Sequence, residues 1–306
     1  MVQKNSVSKK LLIICGPTAS GKTALAVECA KLLDTEIISA DSLYIYKNLD
    51  IGTAKPTVEE RQGIKHHLID VVSPFEEFSV SDYKKLAEEK IKALHEMGKI
   101  PIICGGTGFY INSLLYDLSY GNSCANVEVR EEYKRLAEQN GNEFVYEILK
   151  VKDPESANKL HANDLKRVIR ALEIYHSGIK KSDIKDEFVK KYDYVAYSID
   201  FPRETLYKRI NERVDAMINE GLIEEVKCLN SMGVDSKNQC MQGIGYKEIL
   251  DFLNGNLSLN EAIDLIKLNT RHYAKRQITF FKRLEGINYL MPEPASVLAR
   301  KITEEL

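Results

Sequence analysis

No apolar run in this 306-residue chain approaches the roughly 20 residues that cross a bilayer, so a helical membrane span is excluded. The polar stretch Met1 to Lys10 is followed by only five apolar residues (11–15), too few for a secretory signal core. The six cysteines (Cys15, Cys29, Cys104, Cys124, Cys228, Cys240) form no CxxC pair, which argues against a zinc site or a disulfide framework. Cys15 and Cys104 sit in strand-like runs and are expected to pack as small apolar groups. These absences read as a cytoplasmic protein. Tryptophan is missing, as are internal repeats and low-complexity tracts. An excess of one charge is also missing. The 43 Lys and Arg against 45 Asp and Glu leave a formal net charge of −2, which excludes a generally basic nucleic-acid binder.

What is present begins with Gly16-Pro17-Thr18-Ala19-Ser20-Gly21-Lys22-Thr23. The apolar run 11–15 precedes it, and a helix-like run, Ala24 to Leu33, comes after. Strand, glycine-bounded loop with Lys-Thr, then helix is the P-loop in its expected context. Its backbone N–H groups cradle phosphate oxygens, and the helix N-terminus adds partial positive charge. Lys22 is placed to reach the terminal phosphate, and the Thr23 hydroxyl to hold Mg²⁺. The loop does not say which phosphate compound it binds.

The first 120 residues alternate strand and helix. Strands are expected at Leu11–Cys15, Glu36–Ala40, His67–Val72 and Pro101–Cys104. Helices are expected from a Ser79 or Ser81 cap to Met97, closed by Gly98, and from a Thr107 cap to Leu118. That alternation implies an α/β fold, a P-loop-type mostly parallel sheet flanked by helices. Ligands of such sheets sit at the carboxyl ends of the strands. The rule gathers the P-loop, Asp41-Ser42 and Gly105-Gly106-Thr107 into one cleft. Residues Glu128 to Ser177 are charged and helical, Tyr194–Ile199 returns to strand character, and 203–232 and 259–283 are helical again. A helical insertion domain, 121–190, inside an α/β core, 1–120 plus 191–306, accounts for this order.

Two clusters depart from the balanced charge. No acidic residue occurs from Leu265 to Leu284, where Lys267, Arg271, Lys275, Arg276, Lys282 and Arg283 fall; Lys166, Arg167, Arg170, Lys180 and Lys181 form the second cluster. Either alone reads as a solvated helix face. Two of them beside a phosphate site point to a polyanionic partner. His66-His67 lacks further ligands at suitable spacing and is expected to play a structural part at a strand edge. Phe75 and Phe78 are expected in the core.

Further blocks accompany the P-loop: Ala40-Asp41-Ser42 with Tyr46, Asp50-Ile51-Gly52-Thr53-Ala54-Lys55-Pro56, Gly105-Gly106-Thr107-Gly108-Phe109-Tyr110, the stretch Asn163 to Glu173, Gln242-Gly243-Ile244-Gly245-Tyr246-Lys247, and the stretch Thr270 to Gln277. In these blocks and their order, from Gly16 to Gln277, the chain resembles the tRNA dimethylallyltransferases, also called tRNA isopentenyltransferases. The resemblance implies transfer of a dimethylallyl group from its diphosphate to N6 of the adenosine beside the tRNA anticodon. It implies dimethylallyl diphosphate on Gly16–Thr23, Mg²⁺ at Thr23, and an Arg213 contact to the diphosphate. Without the resemblance Arg213 reads as an ordinary exposed helix arginine. The implied tRNA contacts are Asp41, Ser42, Leu43 and Tyr44; Thr107; Arg130; Asn163, Asp164, Leu165, Lys166 and Arg167; and Gln242, Gly243, Ile244, Gly245, Tyr246 and Lys247. The partners are then the anticodon stem-loop and the prenyl donor, with no membrane and a monomeric enzyme.

The residues suit that chemistry. Breaking an allylic C–O bond builds negative charge on the leaving diphosphate, which a donor-rich anion cradle stabilises. The attacking amine must lose a proton, and Asp41, at a strand end on the P-loop rim, is the candidate base. A helix cap or a Mg²⁺ ligand is its alternative. Thr107 has two readings that can coexist, a hydrogen bond to the adenine and a helix cap. The base must leave its stack to reach a closed site. The chain departs from the family at Ser119–Val129, at Leu165, where relatives are often polar, and at Phe280-Phe281, where an aromatic pair often includes tryptophan. It shows no zinc-finger extension, as expected of a bacterial-type enzyme. An ATP-dependent small-molecule kinase shares the P-loop, with Asp70 as its passable metal-binding acid. A non-catalytic RNA-binding protein is the third reading.

Overall fold

The computed structural model describes residues 10–116, 126–184 and 189–306. Met1 to Lys9, Cys124, the proposed boundary at 121 and most of the 119–129 segment lie outside them. The chain divides into two compact units, Met1–Leu115 with Lys190–Leu306, and Tyr116–Val189.

The first unit is built on a six-stranded sheet. Its strands are β1 (Lys10–Cys15), β2 (Ile37–Ser39), β3 (His66–His67), β4 (Ile102–Gly105), β5 (Asp193–Ile199) and β6 (Ile287–Leu290), in the order β3-β2-β4-β1-β5-β6. Every pairing is parallel. Residues 11–15 of β1 are all buried, as a strand covered on both faces requires, which is why this strand reads as a continuous apolar run. Leu25, Ala26 and Ala30 of the helix Lys22–Leu32 pack on Leu12 and Ile14, together with Leu298, Ala299 and Ile302 from the helix Ala295–Glu304. Cys15 and Cys104 are buried, and burial pushes each thiol up to about 12. Strand register sets where the loops emerge. Cys15 lies opposite Gly105, and Ser39 opposite Cys104, so β1, β2 and β4 end level and their loops leave the sheet side by side.

Several expectations are corrected. The run His67–Val72 is a strand only at its start, because Leu68 (φ 61°) and Asp70 (φ 56°) take left-handed backbone that no strand tolerates. His66 and His67 are nonetheless at the sheet edge, where His67 Nε2 meets Glu36 Oε2 at 2.5 Å. The helix begun by Ser79, in a reciprocal cap with Asp82, ends at Glu96, one residue before Met97. The helix after Thr107 spans Gly108–Leu115, and Leu118, its expected end, lies outside the described residues. The run 203–232 is two helices, Arg203–Asn219 and Leu222–Ser231, broken at Gly221 (φ 106°). The last long helix is Leu259–Phe281. Phe78 is buried, but Phe75 is 53% exposed, so only one of that pair joins the core.

The second unit is helical. Helices Val127–Asn140, Asn142–Lys152 and Leu165–His176 close around Val129, Tyr133, Val145, Leu149, Val168 and Leu172. Glu173 is buried in this unit. It accepts from Arg170 Nη1 at 2.6 Å, Arg130 Nη2 at 3.2 Å and the Asn126 N–H at 2.7 Å. Burial alone would raise the Glu173 pKa, but these donors outweigh it and hold the carboxyl below its ordinary value.

Candidate active site

The P-loop turns sharply out of β1. Gly16 takes φ 138°, and a Cβ there would sit 2.7 Å from Ser198 Oγ. Ala19 (φ 61°) and Gly21 (φ 80°) complete the turn. The helix Lys22–Leu32 starts at Gly21 with no side-chain cap, which leaves its first N–H groups for an external anion. Ser20 Oγ is buried with no protein partner. Lys22 Nζ folds back to donate to Pro17 O at 3.2 Å. Burial lowers the Lys22 pKa and Arg213 adds to that, while Asp41 opposes it. An arriving anion favours the charged ammonium and so offsets both burial and the neighbouring guanidinium.

The three loops at the level strand ends are tied to one another. The Ala40 N–H donates to Cys104 O at 2.7 Å, and the Thr107 N–H to Ala40 O at 3.0 Å. The Ser42 N–H donates to Thr107 Oγ1 at 3.1 Å, so this hydroxyl braces the neighbouring loop. The Leu43 N–H donates to Asp41 Oδ1 at 3.0 Å, which fixes the carboxylate in a tight Asx-type turn. Gly105 is required here, because a Cβ would meet Ala40 O at 2.1 Å.

A floor of partly buried polar contacts supports a fourth loop, Asp50 to Lys55. Glu225 accepts from the N–H groups of Asp50 (2.9 Å), Ile51 (2.8 Å) and Gly52 (3.1 Å), and from the Tyr246 hydroxyl (2.6 Å). Lys55 is buried and donates to Asp50 and Asp70, each at 2.6 Å. Asp70 is thus committed to an ion pair with this lysine, which weakens the kinase reading. Ala54 O, held in place by this floor, accepts from Tyr44 at 2.8 Å and from Arg213 Nη2 at 3.2 Å. Arg213 Nη1 donates to Thr18 Oγ1 at 3.2 Å, and Arg209 to Ala19 O at 2.8 Å. Arg213 is therefore not a free surface arginine.

These segments line one open cleft of about 1320 Å³. Thr18, Ala19, Gly21, Lys22, Thr23, Asp41, Ser42, Leu43, Tyr44 and Arg213 line it, with Gln242, Gly243 and Ile244. Gly16, Pro17, Ser20, Thr107 and Lys247 are not among its lining. The expectation that Tyr246 touches RNA is corrected, because its side chain is fully buried and its hydroxyl is spent on Glu225. Gly245 (φ 98°) turns the chain into the helix Tyr246–Leu253 and is buried as well. Arg130, Asn163, Asp164, Leu165, Lys166 and Arg167 belong to the second unit. Within it Lys166 and Arg167 are exposed, while Arg130 is engaged by Glu173.

Sequence reasoning assigns no role to Gln277, Glu225 or Tyr273. Gln277 is buried, and it accepts the Thr18 N–H at 2.9 Å while donating to Gly106 O at 2.9 Å. Its signal is a polar side chain at an inward position of an otherwise amphipathic helix. Tyr273 lines the cleft, its hydroxyl pushed up to about 12 by burial first and by Asp41 second. Among the described residues no group of three or more His, Cys, Asp or Glu is placed to hold a metal. Thr23 and Asp41 do share the cleft, and one hydroxyl with one carboxylate suits a Mg²⁺ that keeps its waters and is carried in by phosphate oxygens. No helix of the described residues is long and apolar enough to cross a membrane.

Comparison with known proteins agrees on one family. The family model described as IPP transferase matches residues 44–284. A tRNA dimethylallyltransferase of Alkaliphilus oremlandii is 51% identical over 286 residues, covering 92% of this chain and 91% of that protein. One of Acetivibrio thermocellus is 49% identical over 284 residues, with 92% and 91% covered. Among solved structures, the full-length tRNA isopentenylpyrophosphate transferase of Bacillus halodurans is 39% identical with a TM-score of 0.73, covering 97% of both chains. A eukaryotic dimethylallyltransferase acting on tRNA is 31% identical with a TM-score of 0.81, covering 97% of this chain and 76% of that one.

Proposed function

This chain belongs to the IPP transferase family, and from that premise we propose that its cleft holds dimethylallyl diphosphate on the P-loop and passes the dimethylallyl group to N6 of an adenosine in a tRNA anticodon loop. It is an enzyme of tRNA modification. The observation that carries the site assignment is that one cleft is lined both by an uncapped helix start with Lys22 and Arg213 and by Asp41, fixed by its own turn.

The steps divide between these groups. Diphosphate oxygens lie against the N–H groups of Gly21, Lys22 and Thr23 and against the Lys22 and Arg213 cations. The allylic C–O bond breaks and its electron pair leaves on diphosphate, where the growing charge meets donors already in position. The N6 lone pair forms the new C–N bond, and the amine proton passes to an oxygen of Asp41. The Thr23 hydroxyl would hold Mg²⁺, which would supply positive charge to offset that growing on the departing diphosphate. Thr107, whose hydroxyl braces Ser42, fixes the loop that carries Asp41 and offers the adenine a partner. Leu43, Tyr44, Gln242, Gly243 and Ile244 form the walls that an extruded base would meet, with Lys247 and Gly245 framing the same turn. Asn163, Asp164, Leu165, Lys166 and Arg167 of the helical unit, domain 121–190 in this reading, take the RNA backbone. Arg130 contributes by way of Glu173. One chain supplies every group, so the reading takes a monomer acting on the cytoplasmic tRNA pool.

Mass spectrometry of adenosine from tRNA incubated with the protein, Mg²⁺ and dimethylallyl diphosphate tests this. A mass gain of one prenyl group on adenosine is expected. Indifference to that donor, with transfer of the γ-phosphoryl of ATP to a small acceptor, would replace the reading with the kinase.

A further inference from the structure

Phe109 is 60% exposed and directly follows the Thr107-Gly108 step. Its ring meets Phe280 with centroids 5.7 Å apart and planes tilted by 45°. Gly108 makes this possible, since a Cβ there would lie 2.2 Å from the Phe280 ring. Phe280 is braced from behind by the buried Phe281, edge-on at 5.8 Å. The pair is therefore backed by a buried ring, with Phe109 open to solvent. It also stands at the end of a row. Along the helix Leu259–Phe281, Tyr273 and Arg276 line the cleft, with the Arg276 guanidinium 5.6 Å from the Tyr273 ring centre. Phe280 follows Arg276 by one turn, about 6 Å further along.

We propose that Phe109 and Phe280 form a stacking platform for an unpaired RNA base that neighbours the adenosine drawn into the cleft. The inference rests on the reading of the cleft as a tRNA site and adds a recognition element to it. Two rings offer too little apolar area for a protein or lipid partner, but a nucleobase needs only a flat π-face, and stacking is tolerant of which base arrives. The surroundings suit the phosphates attached to that base. No acidic residue occurs from Leu265 to Leu284, and Lys282 and Arg283 follow Phe280 closely. Phe75, also 53% exposed, makes the contrast, because it is followed by Glu76 and Glu77, which repel a polyanion.

The test uses the full chain and an anticodon stem-loop carrying 2-aminopurine beside the target adenosine. Wild type is expected to quench the 2-aminopurine on binding. Phe109→Leu keeps apolar bulk without the aromatic face, and is expected to lose most of the quench and to raise KM for RNA at least about fivefold, with KM for the prenyl donor unmoved. Phe109→Tyr is expected to restore both, and Phe75→Leu to change neither. The inference is overturned if Phe109→Leu matches wild type in quench and KM. It falls equally if the variant's only change is a shift in sedimentation coefficient, which would mark a self-association contact. Absence of prenyl transfer by wild type is a separate outcome and would remove the cleft assignment itself.

Discussion

Gln277 Oε1 accepts the Thr18 N–H at 2.9 Å, joining the P-loop to a helix 259 residues further along the chain. The same side chain donates to Gly106 O at 2.9 Å, so one buried amide fixes the spacing between the phosphate end of the cleft and the loop that leads to Thr107. The contact to Gly106 is buried and the one to Thr18 half-buried. Gln277→Leu orphans both backbone groups, and a buried polar group left unpaired costs about 1–3 kcal/mol. The variant is expected to melt several degrees lower and to lose kcat more than either KM. Equal kcat in wild type and variant would show that the spacing is set elsewhere.

Asp41→Asn separates the two roles of this residue. The amide oxygen still accepts the Leu43 N–H, so the turn survives, but the side chain no longer takes up a proton. The single-turnover rate is expected to fall by about 10²–10⁴ while RNA and donor dissociation constants hold. Pre-steady-state quench experiments with labelled donor measure this directly, and a rate near wild type would remove Asp41 from the chemistry.

Much of this site is legible in the sequence because its parts are contiguous there. The P-loop, Asp41-Ser42 and Gly105-Gly106-Thr107 each sit directly after a strand, and the rule for parallel sheets converges them without any coordinates. Gln277 and Glu225 are not legible, because their roles lie in backbone groups of distant loops, and nothing local marks a carboxylate that will accept three N–H groups. The strand expected over His67–Val72 fails for a local reason. Its apolar residues suit a strand, but Leu68 and Asp70 adopt left-handed backbone, which sends Asp70 to the Lys55 ammonium. Tyr246 fails in the opposite way. Its block resembles a recognition loop, yet the ring packs where a Cβ on Gly52 would stand 2.7 Å from it, so it secures that loop from beneath.

The helical unit carries its own pH dependence through Glu173. Its folded-state pKa lies below the ordinary value of 4.5, despite burial, because Arg170, the Asn126 N–H and Arg130 all favour the carboxylate. A depressed pKa contributes stability that is present above the unfolded-state value and disappears as pH falls through the lower, folded value. Helical ellipticity of the unit is expected to melt at lower temperature in acid. Glu173→Gln is expected to be destabilised at neutral pH and to lose that part of the acid dependence. Identical acid profiles for the two proteins would refute the assignment.

Lys166 and Arg167 are exposed at the start of the helix Leu165–His176, and Arg167 is paired with Asp164 at 3.3 Å on the surface. Contacts of this kind release counterions when they meet phosphates. RNA affinity is expected to fall steeply with salt, and Lys166→Ala to reduce the log–log slope by about one. Filter binding across a salt series gives the slope. An unchanged slope would place the RNA backbone elsewhere.

Arg213 is expected to resist replacement even by lysine. Its Nη1 reaches Thr18 Oγ1 and its Nη2 reaches Ala54 O, both at 3.2 Å, so the two ends of one planar fork address two separate loops. A lysine ammonium is a single point and cannot span them. Arg213→Lys therefore keeps the positive charge and loses the geometry. If charge alone stabilises the departing diphosphate, the variant retains most of its rate. If the fork sets where the P-loop and the Ala54 loop stand, kcat drops about tenfold to a hundredfold despite the conserved charge, and Arg213→Gln drops little further. The Ala54 loop's own supports, Glu225 beneath Asp50–Gly52 and Lys55 between two aspartates, favour the second outcome, since they hold that loop where the fork reaches it. Steady-state kinetics of the two variants against dimethylallyl diphosphate decide between them.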